Sequence, residues 1–99
     1  MSRLGDMVLK VRSKNAGPFW LTVDIFCGTP DAYAQVCASV TGDRVAALFK
    51  VSPDTVDRYE MASLNVVKFS LPRPAVQGTR EDRDMHGASF AALVAELDV

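Results

Sequence analysis

The sequence predicts an α+β domain, a two-layer sandwich with a mainly antiparallel sheet and helices packed on one face. Three observations predict it. Two strand-like runs open the chain, separated by a short polar break. Two capped helical segments follow. A second pair of strand-like runs then leads to a final amphipathic segment. The order β-β-α-α-β-β-α suits helices laid on one side of an antiparallel sheet. With 99 residues, of which 48% are hydrophobic, the chain reads as one folded domain over residues 1–99. The style of the sandwich is ferredoxin-like.

Residues 7–12 read MVLKVR. Met7, Leu9 and Val11 alternate with Val8, Lys10 and Arg12, which is strand periodicity. Ser13-Lys14-Asn15-Ala16-Gly17-Pro18 then supplies turn formers. Residues 19–27, FWLTVDIFC, are rich in aromatic and β-branched residues and predict a central strand. Phe19, Leu21, Val23, Ile25 and Cys27 share one face. Trp20, Thr22, Asp24 and Phe26 share the other. The two strands are close enough in sequence to pair as antiparallel neighbours.

Thr29-Pro30-Asp31 is a helix start: an N-cap, proline at the first position, then an acid in the first turn. Tyr33, Val36, Cys37 and Val40 follow at helical spacing. Thr41-Gly42-Asp43 restarts the signal, with Val45, Leu48 and Phe49 as its apolar face. Ser52-Pro53-Asp54 predicts a turn or two. Residues 56–61 and 66–71 are the next strands, joined as a hairpin by Ala62-Ser63-Leu64-Asn65. Pro72-Arg73-Pro74 ends the second, because proline cannot donate to a ladder. A polar loop follows, charged from Arg80. Ser89 caps a last helix whose apolar face is Phe90, Leu93, Val94 and Leu97. Its final residues, 97–99, have a second option, an edge strand.

Eleven Lys and Arg against twelve Asp and Glu give a formal net charge of -1. Such a chain lacks the basic footprint of nucleic-acid binding and the polybasic stretch that anionic membranes attract. No run approaches the ~20 apolar residues of a membrane-spanning helix, and residues 1–6 show no signal-peptide character. The cytoplasm is the expected location. Cys27 and Cys37 form no C-x-x-C pair and read as reduced, buried thiols rather than reactive ones.

The 13–18 segment is the most unusual. Ser13, Lys14 and Asn15 offer a hydroxyl, an ammonium and an amide before Gly17, a residue free to adopt an uncommon backbone angle. Such a set can hold a carboxylate, a phosphate or an acidic partner. It can equally be a tight connection whose polar side chains face water. It carries no P-loop signature. Asp24 interrupts an apolar strand, where an unpaired carboxylate is costly to bury. It is read either as an ion-pair partner of Lys10, Arg12 or Lys14, or as a site residue. His86 is the sole histidine, a candidate acid or base. Asp82, Asp84 and His86 at alternate positions are a weak metal pattern, so no metal and no cofactor are expected. No nucleophile elbow, G-x-G-x-x-G or H-E-x-x-H motif is present.

Leu4-Gly5-Asp6, Arg12-Ser13-Lys14-Asn15-Ala16-Gly17-Pro18-Phe19 and Thr22-Val23-Asp24-Ile25 resemble a small bacterial family, the domain of unknown function 4387. The resemblance continues through Arg44-Val45-Ala46-Ala47-Leu48-Phe49, Leu71-Pro72-Arg73-Pro74 and residues 84–87, so it covers nearly the whole chain. Arg58-Tyr59-Glu60, Leu64 and Phe69-Ser70-Leu71-Pro72 look like the C-terminal ferredoxin-like domain of acyclic-terpene-utilisation A-type (AtuA-like) proteins. There an R-S-G-D-K-G-D loop stands where R-S-K-N-A-G-P stands here. That loop has two acids and this one has none, so a ligand does not carry over between them.

The resemblance implies a ferredoxin-like fold and a large AtuA-like protein as partner, in a pathway that handles acyl-CoA intermediates. Three functions remain open. The first is a small subunit whose 13–18 loop and Arg73 lie at a site shared with that partner. The second is a self-sufficient lyase or hydratase, as monomer or homo-oligomer, in which Lys14, Asn15 and Arg73 bind a carboxylate or acyl thioester and Asp24 or His86 moves the proton. The third is a purely structural or regulatory module.

Overall fold

In a computed structural model, residues 3–17, 19–72 and 90–97 are described. The described chain runs α1 (Leu4–Met7), β1 (Lys10–Asn15), β2 (Trp20–Phe26), α2 (Pro30–Ser39), α3 (Gly42–Phe49), a 3-10 turn (Pro53–Thr55), β3 (Asp57–Met61), a second 3-10 turn (Ala62–Leu64), β4 (Val66–Pro72) and α4 (Phe90–Ala95). The four strands form one sheet in the order β1-β2-β4-β3, and every pairing is antiparallel. This is an α+β arrangement compatible with a ferredoxin-like sandwich.

Strand alternation decides which residues form the core. Leu21, Val23 and Ile25 of β2 lie beside Leu71, Phe69 and Val67 of β4, and all six are fully buried. Val36 and Val40 of the α2 segment, Val45 and Phe49 of α3 and Val94 of α4 pack on them from the helix side. Both long helices start at the expected threonines. Thr29 Oγ1 accepts from the Ala32 amide at 3.1 Å, and Thr41 Oγ1 accepts from the Arg44 amide at 3.2 Å. Each hydroxyl satisfies a donor that the first helical turn leaves unpaired. The β3–β4 hairpin closes through Asn65 in the left-handed region, φ 53°, a conformation asparagine tolerates better than most residues. The Asn65 carbonyl then accepts from the Cys27 amide at 2.8 Å, fixing the end of β2.

The first strand is displaced from its expected position. Residues 4–7 form a short helix, and β1 starts at Lys10 and runs through Ser13, Lys14 and Asn15. Leu4 and Val8, four residues apart, are both buried, which is helical spacing. Pairing with β2 fixes the strand from Lys10, opposite Phe26, to Asn15, opposite Leu21. The polar triplet enters the ladder because the helix layer satisfies its inward member. Ser13 is buried, and its Oγ accepts from the Ala91 amide of α4 at 2.8 Å. The connection between the strands is therefore shorter than expected. The Ala16 amide donates to the Trp20 carbonyl at 2.9 Å, and Gly17 has φ +87°.

Helix α4 ends at Ala95. The Leu97 carbonyl accepts from the Leu4 amide at 2.7 Å, and Arg3 pairs with Glu96 at 3.3 Å. These bonds join α1 to the segment after α4. Gly5 permits their approach, since a Cβ there would meet Ala95 Cβ at 3.0 Å. Ser89 and residues 98–99 lie outside the described residues.

Ser13→Ala removes the acceptor for a buried amide. The expected loss is about 1–3 kcal/mol, the cost of leaving such a donor unsatisfied. Urea unfolding measures it. An unchanged midpoint would mean that the Ser13–Ala91 bond contributes nothing to α4 docking.

Candidate functional site

With the helices on one side, the other side of the sheet carries no described helix. Register places its side chains in rows. Lys14, Thr22, Ser70 and Asp57 form one row across β1, β2, β4 and β3. Arg12, Asp24, Lys68 and Tyr59 form the next. Lys10, Phe26, Val66 and Met61 form the third. Trp20 stands beside Pro72 at the end nearest the β1–β2 hairpin.

The third row is the apolar end of the face. Val66 is buried, Phe26 is half-buried, and the Lys10 ammonium sits 4.9 Å from the Phe26 ring centroid, a cation–π distance. The other two rows are polar. Trp20 and Tyr59 stand 44% and 50% exposed above them. Thr22 is buried, and its hydroxyl donates to the Lys14 carbonyl at 3.4 Å.

Within the three rows are four cations, Lys10, Arg12, Lys14 and Lys68, and two carboxylates, Asp24 and Asp57. This face is thus locally cationic although the chain carries a net charge of -1. Two hollows open on it. A small one of about 180 Å³ is lined by Arg12, Ser13, Lys14, Asp24 and Phe26. A broad, shallow one of about 710 Å³ is lined by Thr22, Tyr59, Met61, Lys68 and Ser70, together with Arg58 and Glu60 of β3.

The expected site residues divide between the two faces. Lys14 and Asp24 share the open face. Ser13 and Asn15 alternate to the helix side, and Ser13 is held there by α4. Gly17 lies in the hairpin. Arg73 and His86, with the Asp82–Asp84 pattern, lie outside the described residues. Asp24 faces Arg12 on β1 and Lys68 on β4 in direct register, rather than Lys10 or Lys14. The salt bridges formed among the described residues are elsewhere: Arg3 with Asp6 and Glu96, and Arg58 with Glu60. Arg58 also donates to the carbonyls of Cys37 and Val40, at 3.0 Å each, closing the end of α2.

A family model described as domain of unknown function (DUF4387) matches residues 4–98. The chain belongs to this family. Nothing among the curated proteins or the solved structures matches it. For this member of the 4387 family, the open face therefore carries the functional argument.

The reading of the residues alone passed over Thr22, Lys68, Tyr59 and Ser70. A signal existed in the alternation of Val66, Lys68 and Ser70 against Val67, Phe69 and Leu71. It identifies the polar side of β4 but not which strand lies beside it. Cys27 belongs to the core. Burial, with Cys37 close by, pushes its thiol up to about 11, so at neutral pH it stays protonated and is a poor nucleophile. Among the described residues, no three His, Cys, Asp or Glu side chains gather to hold a metal ion. No helix among them is long and apolar enough to cross a membrane.

Proposed function

We propose that this chain is a small subunit or accessory domain that docks on a larger protein through the face of its sheet that no described helix covers. The observation that carries this reading is the face itself. It presents two exposed aromatic rings beside a cationic excess. Aromatic rings and arginine are enriched at binding interfaces, which fits Trp20, Tyr59 and Arg12, and the cationic excess favours an acidic partner surface. The partner is a large AtuA-like protein, the setting implied by the likeness of Arg58-Tyr59-Glu60 and Phe69-Ser70-Leu71-Pro72 to that group's C-terminal domain. The domain fused in one group is then a separate subunit in the other. The shared work is cytoplasmic catabolism of acyl-CoA or carboxylate intermediates, and Lys14 at the hairpin end of β1 contributes to a shared site.

A second reading, a self-sufficient lyase or hydratase, draws on the smaller hollow, where Asp24 lies with Arg12 and Lys14. There Asp24 would move the proton and the two cations would hold the anion. Turnover separates the two. Each purified protein is assayed alone and then mixed with its partner against a panel of carboxylates and acyl thioesters. The subunit reading predicts turnover that requires both chains. Turnover by this chain alone would establish the second reading in its place. Equal turnover by the large protein with and without this chain would overturn the shared site.

A further inference from the structure

We propose that the broad hollow between β2, β4 and β3 is a binding site for a small monocarboxylate with an apolar chain. This goes beyond the docking proposal. Every group it needs belongs to this chain, so it stands or fails without any partner.

Three strands build the site. Lys68 and Ser70 project from β4. Thr22 projects from β2, opposite Ser70, and Tyr59 projects from β3, opposite Lys68. Met61 closes the β3 side toward the apolar row. The hollow, of about 710 Å³, is shallow, so a ligand lies along the sheet with one side open to water. Lys68 and Ser70 make no side-chain hydrogen bond or ion pair among the described residues. An ammonium and a hydroxyl two residues apart on one strand lie on one face. Together they offer a carboxylate a charge and a hydrogen-bond donor. The half-exposed Tyr59 ring and Met61 offer apolar surface beside them, where a hydrocarbon chain can lie.

Charge fixes the class of anion. Arg58 lines the hollow but its guanidinium is occupied elsewhere. It donates to the Cys37 and Val40 carbonyls and pairs with Glu60. One cation, Lys68, is left for the ligand. Asp24 and Asp57 stand in register beside Lys68 and Ser70, so a second negative charge on the ligand would meet carboxylates rather than cations. Arg12 flanks Asp24 on its other side and offsets that acid. A single negative charge suits the site, and a phosphate dianion does not.

The test is titration of the isotope-labelled isolated chain by NMR with hexanoate, with inorganic phosphate and hexan-1-ol as comparators. Hexanoate is expected to shift the amides of Thr22, Tyr59, Lys68 and Ser70 saturably. Both comparators should bind at least about tenfold more weakly. Lys68→Met should keep the dispersed spectrum of the folded chain and weaken hexanoate at least about tenfold, roughly 1.4 kcal/mol. Ser70→Ala provides a second arm, with a smaller weakening expected. Shifts confined to other parts of the chain, phosphate binding as tightly as hexanoate, or undiminished hexanoate binding by a folded Lys68→Met chain would each overturn the proposal.

Discussion

Phe69→Ala is expected to cost the domain about 3–5 kcal/mol, the usual penalty for removing a buried aromatic ring. Phe69 is the largest of the fully buried side chains. It sits mid-strand on β4, opposite Val23 of β2 and Arg58 of β3, and faces the layer formed by α2, α3 and α4. Its removal leaves a cavity that rigid strands on both sides cannot collapse to fill. Domains of this size have about 5–15 kcal/mol of stability in total. One kcal/mol shifts the melting temperature of a 60–100-residue domain by about 4–8 °C, so the fall should be at least about 12 °C. Circular-dichroism melts and urea unfolding measure it. A loss under about 1 kcal/mol would contradict the packing of the helices against β4.

Lys14→Ala is expected to leave stability within about 0.5 kcal/mol, as surface substitutions usually do, and to reduce the activity of the assembled complex at least about tenfold. Tenfold corresponds to roughly 1.4 kcal/mol of lost binding or transition-state interaction. Lys14 is exposed on the open face, and no described salt bridge uses it. Its main chain pairs with Thr22 in the β1–β2 ladder, and its carbonyl also accepts from the Thr22 hydroxyl; alanine keeps both. Melting and steady-state rates are measured on the same preparations. Unchanged melting with unchanged rates would remove Lys14 from any shared site. A collapsed melt would make it structural.

Where local chemistry decides the structure, the sequence was readable. Thr29 and Thr41 cap the long helices because a hydroxyl there meets a free amide whatever the rest of the chain does. The β2 alternation placed Leu21, Val23, Ile25 and Cys27 on the core side, whereas Phe19, expected with them, lies before the strand and is 60% exposed. The start of β1 was not readable, because residues 7–12 alternate as a strand would. Its true bounds come from contacts made far away in sequence: Leu4 and Val8 with the core, and Ser13 with Ala91. The same limit hid the broad hollow on the open face. Lys68, Ser70, Thr22 and Tyr59 become neighbours only once β4 is inserted between β2 and β3. No local pattern states that order. The 13–18 segment looked like one polar unit, yet strand pleating splits it, sending Ser13 and Asn15 to the helices and Lys14 to the open face.

We propose that the open sheet face docks on a large AtuA-like protein. Affinity capture with the tagged chain, at matched expression of both genes and with the captured protein identified by mass spectrometry, tests it most directly. Three forms are compared: the unaltered chain, Trp20→Glu on the open face, and Gln35→Glu on the exposed side of α2. The unaltered chain and Gln35→Glu are expected to retain the large protein equally. Trp20→Glu, which buries a charge where an aromatic ring stood, should lose at least about tenfold of it. Recovery of the unaltered chain alone, or equal retention by the folded Trp20→Glu chain, would contradict the claim.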